Sequence, residues 1–257
     1  MYPEATYRKA MDLIGEGLLD GQVSRMLGVP RTTIVSWRLH GRRRPEALPH
    51  PDAGGECPGR RGARLNLPIY SYLLGMYLGD GCLSKQPRGS SYKLRISCAL
   101  AYPNITSEVV AAVVAIRGRE DVGTSTLIGC LEVNSSWIHW PCLFPQHAPG
   151  PKHLRKIELR PWQQEIVTEY PWKLIRGLIQ SDGCRHINRV VRPIKSGSKE
   201  YRYVRYQFTN ASADIRAIFT DACKEVGVKW TVMGPRVIAI SRRQDVEVLD
   251  RFVGPKS

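Results

Sequence analysis

Two aspartates in a repeated setting are the residues of this 257-residue chain best placed to do chemistry. Residues 73–81 read LLGMYLGDG and residues 175–183 read IRGLIQSDG. In both, Gly stands third, a small residue stands seventh, Asp-Gly closes the segment, and a cysteine follows (Cys82 and Cys184). Each nonapeptide is apolar enough to be helical, so Asp80 and Asp182 fall in a last helical turn. There the helix dipole disfavours a carboxylate, and bound cations would offset the cost. Carboxylate oxygens completed by water and substrate phosphates suit Mg²⁺ or Mn²⁺. Such a cation lowers the pKa of an attacking water and neutralises developing negative charge, so the chemistry such a pair could support is metal-assisted hydrolysis.

The elements that must position these aspartates form a duplication. Each motif leads into a stretch alternating basic and apolar residues, SYKLRISCAL at 91–100 and EYRYVRYQF at 200–208. An amphipathic helix follows each (105–116 and 214–226), then further strand (126–133 and 236–241). The copies close on Gly150-Pro151-Lys152 and Gly254-Pro255-Lys256. The offset between copies is 102 residues at the motifs and 110 at the following helices, which puts about eight extra residues in the second copy's first hairpin, around 190–199.

These two nonapeptides resemble the LAGLIDADG motif of homing endonucleases in the single-chain, two-motif form. The resemblance covers residues 67–257, about three quarters of the chain. It implies an α+β fold, a duplicated αββαββα saddle with pseudo-twofold symmetry, with repeats at about 67–160 and 161–257. The motif helices would cross through Gly75, Gly79, Gly177 and Ser181, small residues at i, i+4 on one face of each helix. Gly81 and Gly183 would then end the helices in a left-handed turn. Asp80 and Asp182 would face each other as catalytic metal ligands, with Gly79 and Ser181 completing the metal site. Gln207, set equivalent to Ser97, would hold solvent, and Lys152 and Lys256 would polarise it, with Lys156 a competitor. The strands would lie along the DNA major groove and present Lys93 and Arg95 from the first repeat and Arg202, Tyr203 and Arg205 from the second. Seven Lys/Arg against one Glu between 185 and 206 accord with that partner. The chain does not resemble an intein, since it lacks an initial splicing Cys or Ser and ends Pro-Lys-Ser.

Residues 1–44 read as a small all-α helix-turn-helix domain. A helix over 5–14 precedes a second capped by Asp20 that buries Val23, Met26 and Leu27. Gly28 then supplies the turn, and Pro30 starts a third helix. Arg31, Thr32, Thr33 and Ser36 lie on the leading face of that helix, with Arg38, Arg42 and Arg43 as a basic extension for phosphates or a minor groove. Residues 45–66 are a Pro/Gly/Arg-rich linker, and the whole order resembles free-standing actinobacterial members of the family.

Composition bounds the remainder. A formal charge of +15 favours a polyanionic partner, double-stranded DNA first. No apolar run is long enough for a membrane span, and no secretory leader is visible. Seven scattered cysteines without CxxC suggest reduced thiols, and the six histidines have no zinc-ligand spacing. The expected protein is a cytoplasmic, nucleoid-associated, monomeric pseudo-dimer that cuts specific DNA sites. The alternatives are a transcriptional regulator that binds DNA through the saddle without cleavage and, more remotely, an RNA-binding maturase.

Overall fold

The computed structural model describes residues 2–40, 65–194, 196–254 and 256, and the chain divides into two compact units, 1–55 and 56–257. Arg42, Arg43 and most of the expected linker lie outside the described residues.

The first unit has three helices, α1 (Glu4–Gly15), α2 (Asp20–Leu27) and α3 (Arg31–His40). They close on Ala10, Val23, Val29 and Ile34, and the rings of Tyr2 and Tyr7 meet Trp37 edge-on at 5.8 and 5.5 Å. Gly28 makes the turn with φ of 63°, a conformation that favours glycine. Three local expectations are corrected. Asp20 is the first residue inside α2, not its cap. Its carboxylate instead takes a bidentate pair from Arg38 at 3.0 Å, which ties α2 to α3. Met26 is 62% exposed because Val23 and Ile34 already fill this small core. Pro30 precedes the first residue of α3, and its carbonyl accepts from the amides of Thr33 and Ile34.

The second unit repeats one order of elements. The first copy runs α4 (Leu67–Asp80), β1 (Gly81–Lys85), β2 (Tyr92–Ala99), α5 (Pro103–Arg117), β3 (Gly123–Leu127), β4 (Cys130–Trp137) and the short α6 (Trp140–Leu143). After α7 (Pro161–Glu169), the second copy runs α8 (Pro171–Asp182), β5 (Gly183–Ile194), β6 (Gly197–Thr209), α9 (Ala213–Glu225), β7 (Thr231–Gly234), β8 (Val237–Ile240) and α10 (Arg243–Phe252). The sheets have matching orders, β1-β2-β4-β3 and β5-β6-β8-β7. This is the duplicated αββαββα architecture. The strand expected at 126–133 is the turn of a hairpin between β3 and β4, with Gly129 at φ 77°.

Local sequence explains where these helices start. Proline occupies the first turn of α4, α5, α7 and α8, where no amide hydrogen is needed. Asn66 and Ser212 cap α4 and α9 by accepting from Ile69 and Ile215. Tyr70 to Leu78 are all buried, so α4 is apolar on every side and runs through the centre of the unit. One continuous core joins both copies, from Tyr70 and Trp140 through Leu174 to Phe208 and Phe219. Among the described residues no helix is long and apolar enough to cross a membrane.

Candidate active site

The two motif helices meet backbone to backbone. A Cβ on Gly177 would lie 2.3 Å from the Tyr72 carbonyl oxygen, and one on Gly75 would lie 2.6 Å from that of Leu174. One turn further on, Gly79 faces Ser181, whose Oγ bonds back to the Gly177 carbonyl at 2.9 Å. A polar chain braces the crossing: Tyr72 donates to Gln180 at 2.7 Å, Gln180 donates to Glu108, and Glu108 pairs with Arg176 at 2.8 and 2.9 Å.

Close approach of the helices carries Asp80 and Asp182 into one cleft of about 420 Å³. Its lining includes Gly79, Cys82, Lys152, His153 and Asn210. Gly81 and Gly183 are not left-handed; their φ values are −95° and −105°. They are glycine for lack of space, since a Cβ would stand 2.5 Å from Tyr77 Cα and 2.7 Å from Ile179 Cα. The chain can therefore pass straight from helix to strand with each aspartate held at the junction.

The electrostatics are those of two crowded carboxylates. Burial, with Asp182 adding to it, pushes the Asp80 carboxyl up to about 6, while Lys256 and Lys152 oppose the rise. Asp80 keeps an open side toward solvent. Burial also raises Asp182, against Asn210, Lys152 and Lys256. Desolvation pushes Lys152 down to about 8 and lowers Lys256.

The paired lysines cap the motif helices. Lys152 Nζ donates to the carbonyls of Tyr77, Leu78 (3.0 Å) and Gly79 (3.1 Å), and Lys256 Nζ donates to that of Ser181 at 3.0 Å. The lysine of each closing Gly-Pro-Lys thus satisfies end carbonyls of its own motif helix and places positive charge at the negative pole of the dipole. The carbonyls of Gly79 and Ser181 therefore each accept from one ammonium group, and each keeps a second lone pair beside the two carboxylates. Lys156 stands apart, paired with Glu158 and Asp214.

Among the described residues no three His, Cys, Asp or Glu side chains gather into a metal site. Two carboxylates, with water and substrate phosphate in the other positions, nonetheless suit Mg²⁺, which keeps several waters and seldom takes an all-protein cage. The all-oxygen donor set and the mutual repulsion of the pair fit such a cation.

Sequence reasoning missed Asn210. Its Nδ2 donates to Asp182 Oδ2 at 2.5 Å, while its Oδ1 accepts from the Ser212 amide at 2.7 Å. Its backbone donates to the Arg236 carbonyl and accepts from Arg216. With Oδ1 committed to Ser212, the amide can only present N–H to the aspartate. Asn210→Ala is expected to lower cation affinity or cutting 10- to 100-fold, the usual loss for a residue that orients a ligand, as measured by Mn²⁺ titration and plasmid cleavage. Gln207 pairs with Cys184, two residues after Asp182, with its Oε1 4.0 Å from the Cys184 thiol, next to the cleft and not among the residues that line it. Nor is it the counterpart of Ser97. The residue opposite the cysteine after each motif is Arg95 in the first sheet and Gln207 in the second. The sequence offset, taken from the following helices, misses this two-residue difference.

The strands sort the remaining candidates. Lys93 and Arg95 lie on the Cys82 face of the first sheet, where Arg95 bonds Ser84 at 2.7 Å and approaches Glu132. Tyr203 and Arg205 lie on the Cys184 face of the second, but Arg205 is buried and spends its donors on Ser241, Tyr203 and Met233. Arg202 lies on the opposite face, paired with Glu200 at 2.6 Å. In the first unit Arg31, Thr32 and Ser36 are exposed on α3, Thr33 is half-buried, and Arg38 is held by Asp20.

No family model and no curated protein matches the chain in sequence. Solved structures do resemble it. The homing endonuclease I-DmoI in complex with DNA and Mn is 13% identical, with 73% of this chain and 97% of that chain covered and a TM-score of 0.48. The LAGLIDADG meganuclease I-AabMI bound to uncleaved DNA is 10% identical over 71% and 82%, with a TM-score of 0.45. The N-terminal LAGLIDADG domain of DUF199/WhiA is 12% identical over 74% and 83%, with a TM-score of 0.40. These structures are LAGLIDADG proteins. What this chain does rests on its own residues.

Proposed function

We propose that the chain is a site-specific double-strand DNA endonuclease, acting as a monomer, that hydrolyses phosphodiesters with Mg²⁺ or Mn²⁺ held by Asp80 and Asp182. The observation that carries this reading is the meeting of one carboxylate from each repeat in a single cleft, at the ends of two helices packed without side chains between them. Two repeats related by a pseudo-twofold suit two antiparallel strands.

Each residue then has a task. Above about pH 6 Asp80 is ionised, and with Asp182 it could hold a cation beside a phosphate. A cation held by these residues would activate a water and neutralise developing charge. Lys152 and Lys256 hold the helix ends and add positive potential beside the reacting phosphate. Asn210 fixes Asp182. Lys93, Arg95 and Tyr203 face the duplex, and α3 of the first unit offers Arg31, Thr32, Thr33 and Ser36 to a second stretch of major groove, as in a helix-turn-helix.

The test is incubation with a randomised plasmid library and Mg²⁺, followed by end sequencing. One family of ends is expected, absent when EDTA is added. Specific binding without such ends would mean the sites are bound and not cut, the behaviour of a regulator, and the nuclease reading fails.

A further inference from the structure

The first strand of each repeat opens on the same thiol with different neighbours. Residues two apart on a strand share a face, so Cys184 and His186 of β5 stand side by side, and the register sets Gln207 of β6 opposite Cys184. Cys184 Sγ lies 3.6 Å from His186 Nδ1 and 4.0 Å from Gln207 Oε1. Cys184 is exposed and His186 half-buried, so the group is open to solvent on one side. The corresponding positions of the first repeat are Cys82, Ser84 and Arg95. There Arg95 donates to the Ser84 hydroxyl at 2.7 Å, and a guanidinium has no lone pair to offer. The duplication therefore keeps the thiol and exchanges a serine and a cation for an imidazole and an amide oxygen. A guanidinium opposite the thiol repels a metal ion, whereas a ring nitrogen and a carbonyl oxygen can bind one.

The spacing has the dimensions of a coordination edge. Two ligands of a tetrahedral Zn²⁺, with Zn–S about 2.3 Å and Zn–N about 2.0–2.1 Å, stand about 3.6 Å apart. Cys184 and His186 already have that separation. Gln207 Oε1, at 4.0 Å from the sulfur, lies about 0.4 Å beyond the matching S···O edge and stands near a third position. The thiol–imidazole contact is otherwise a hydrogen bond, and a metal would take the place of its proton. Thiolate and imidazole suit Zn²⁺ and leave Mg²⁺ in water, whereas the all-oxygen pair of Asp80 and Asp182 suits Mg²⁺. Of the other described thiols, Cys98 and Cys223 are buried, and Cys142 meets His139 Nδ1 at the wider separation of 3.9 Å.

We propose that Cys184, His186 and Gln207 form a soft-metal site that takes one Zn²⁺, with water in the remaining position, separate from the aspartate pair. The proposal goes beyond the endonuclease reading and holds whether or not the chain cuts DNA. The test titrates the full chain with Co²⁺, whose thiolate complexes give a charge-transfer band in the near ultraviolet that carboxylate complexes lack. One equivalent should raise the band, one equivalent of Zn²⁺ should bleach it, and a large excess of Mg²⁺ should leave it in place. Cys184→Ser, an exposed and nearly isosteric change, should abolish the band. His186→Ala should weaken Co²⁺ binding by more than the roughly 10- to 100-fold loss typical of a residue that only supports a ligand. Asp80→Asn and Cys142→Ser should keep both the band and the affinity. No band in the wild type, a band that survives Cys184→Ser, unchanged affinity in His186→Ala, or bleaching by Mg²⁺ would overturn the site. Loss of the band in Cys142→Ser would overturn it as well, by placing the metal on the other thiol–imidazole pair. A chain that shows the band and cuts no DNA would keep this site and lose the nuclease reading alone.

Discussion

Asp80→Asn and Asp182→Asn are each expected to reduce DNA cleavage at least about 10³-fold while leaving binding within about tenfold. The loss should exceed that of a single transition-state hydrogen bond, because each change removes one of only two carboxylates available to hold the cation. Plasmid cleavage and gel shift on the same preparations measure the two quantities. Equal loss of both would mean the aspartates shape the fold and not the chemistry. Stability moves the other way. Asp80 has a folded pKa of about 6, raised by burial and by Asp182, so its contribution to stability is fully present below its unfolded value near 4 and is lost as pH rises through 6. At pH 8 in EDTA, Asp80→Asn should therefore be more stable than wild type. Discounted for the side chain's open edge, the gain is about 1 kcal/mol, or 2–4 °C in Tm. The difference should vanish near pH 4. Cutting by the wild type should fall as pH drops below 6, where Asp80 takes up a proton.

Gly177→Ala is the second large effect, and it comes from one methyl group. The new Cβ would meet the Tyr72 carbonyl oxygen at 2.3 Å, Met76 N at 2.9 Å and Gly75 Cα at 3.0 Å, all of them backbone atoms of the central helix. No side chain can swing aside, so the helices must separate. Overpacking of this kind costs about 3 kcal/mol, which is about 6–12 °C in Tm for a unit of this size. Differential scanning calorimetry would show it, and any folded fraction should also lose cutting as the aspartates are drawn apart. Gly21→Ala makes the control: nothing stands within 4 Å of that position and its φ is ordinary, so Tm should hold or rise slightly. A fall as small for Gly177→Ala as for the control would mean the helix crossing tolerates a side chain.

Much of this was legible from local pattern. Helices α4 and α8 follow from apolar nonapeptides, and the small residues at 75, 79, 177 and 181 mark the crossing because only they let two backbones touch. The faces of β2 and β6 follow from period-two alternation, and the extra residues near 190–199 announced a longer hairpin. Each of these is written in neighbouring residues. The requirement for glycine at 81 and 183 was right for the wrong reason, since the constraint is a Cβ against the preceding helical turn and not a positive φ.

What only the tertiary structure decided are the partners across the fold. Asn210 reaches Asp182 from the end of a strand 28 positions further on, and its place depends on a register that the hairpin insertion hides from sequence alignment. The lysine of each closing Gly-Pro-Lys could be counted in the sequence, but its seat on the carbonyls of its own motif helix is set by how the chain returns after two hairpins and two helices. Arg202 and Arg205 read alike as basic strand residues, yet one is paired with Glu200 on the far face and the other buried behind Tyr203. The sequence by itself determined the duplication, its two aspartates and the helices that bear them, because periodicity and small-residue spacing are local. The hydrogen bonds and charges around those aspartates join residues from separate elements, and only packing brings these together.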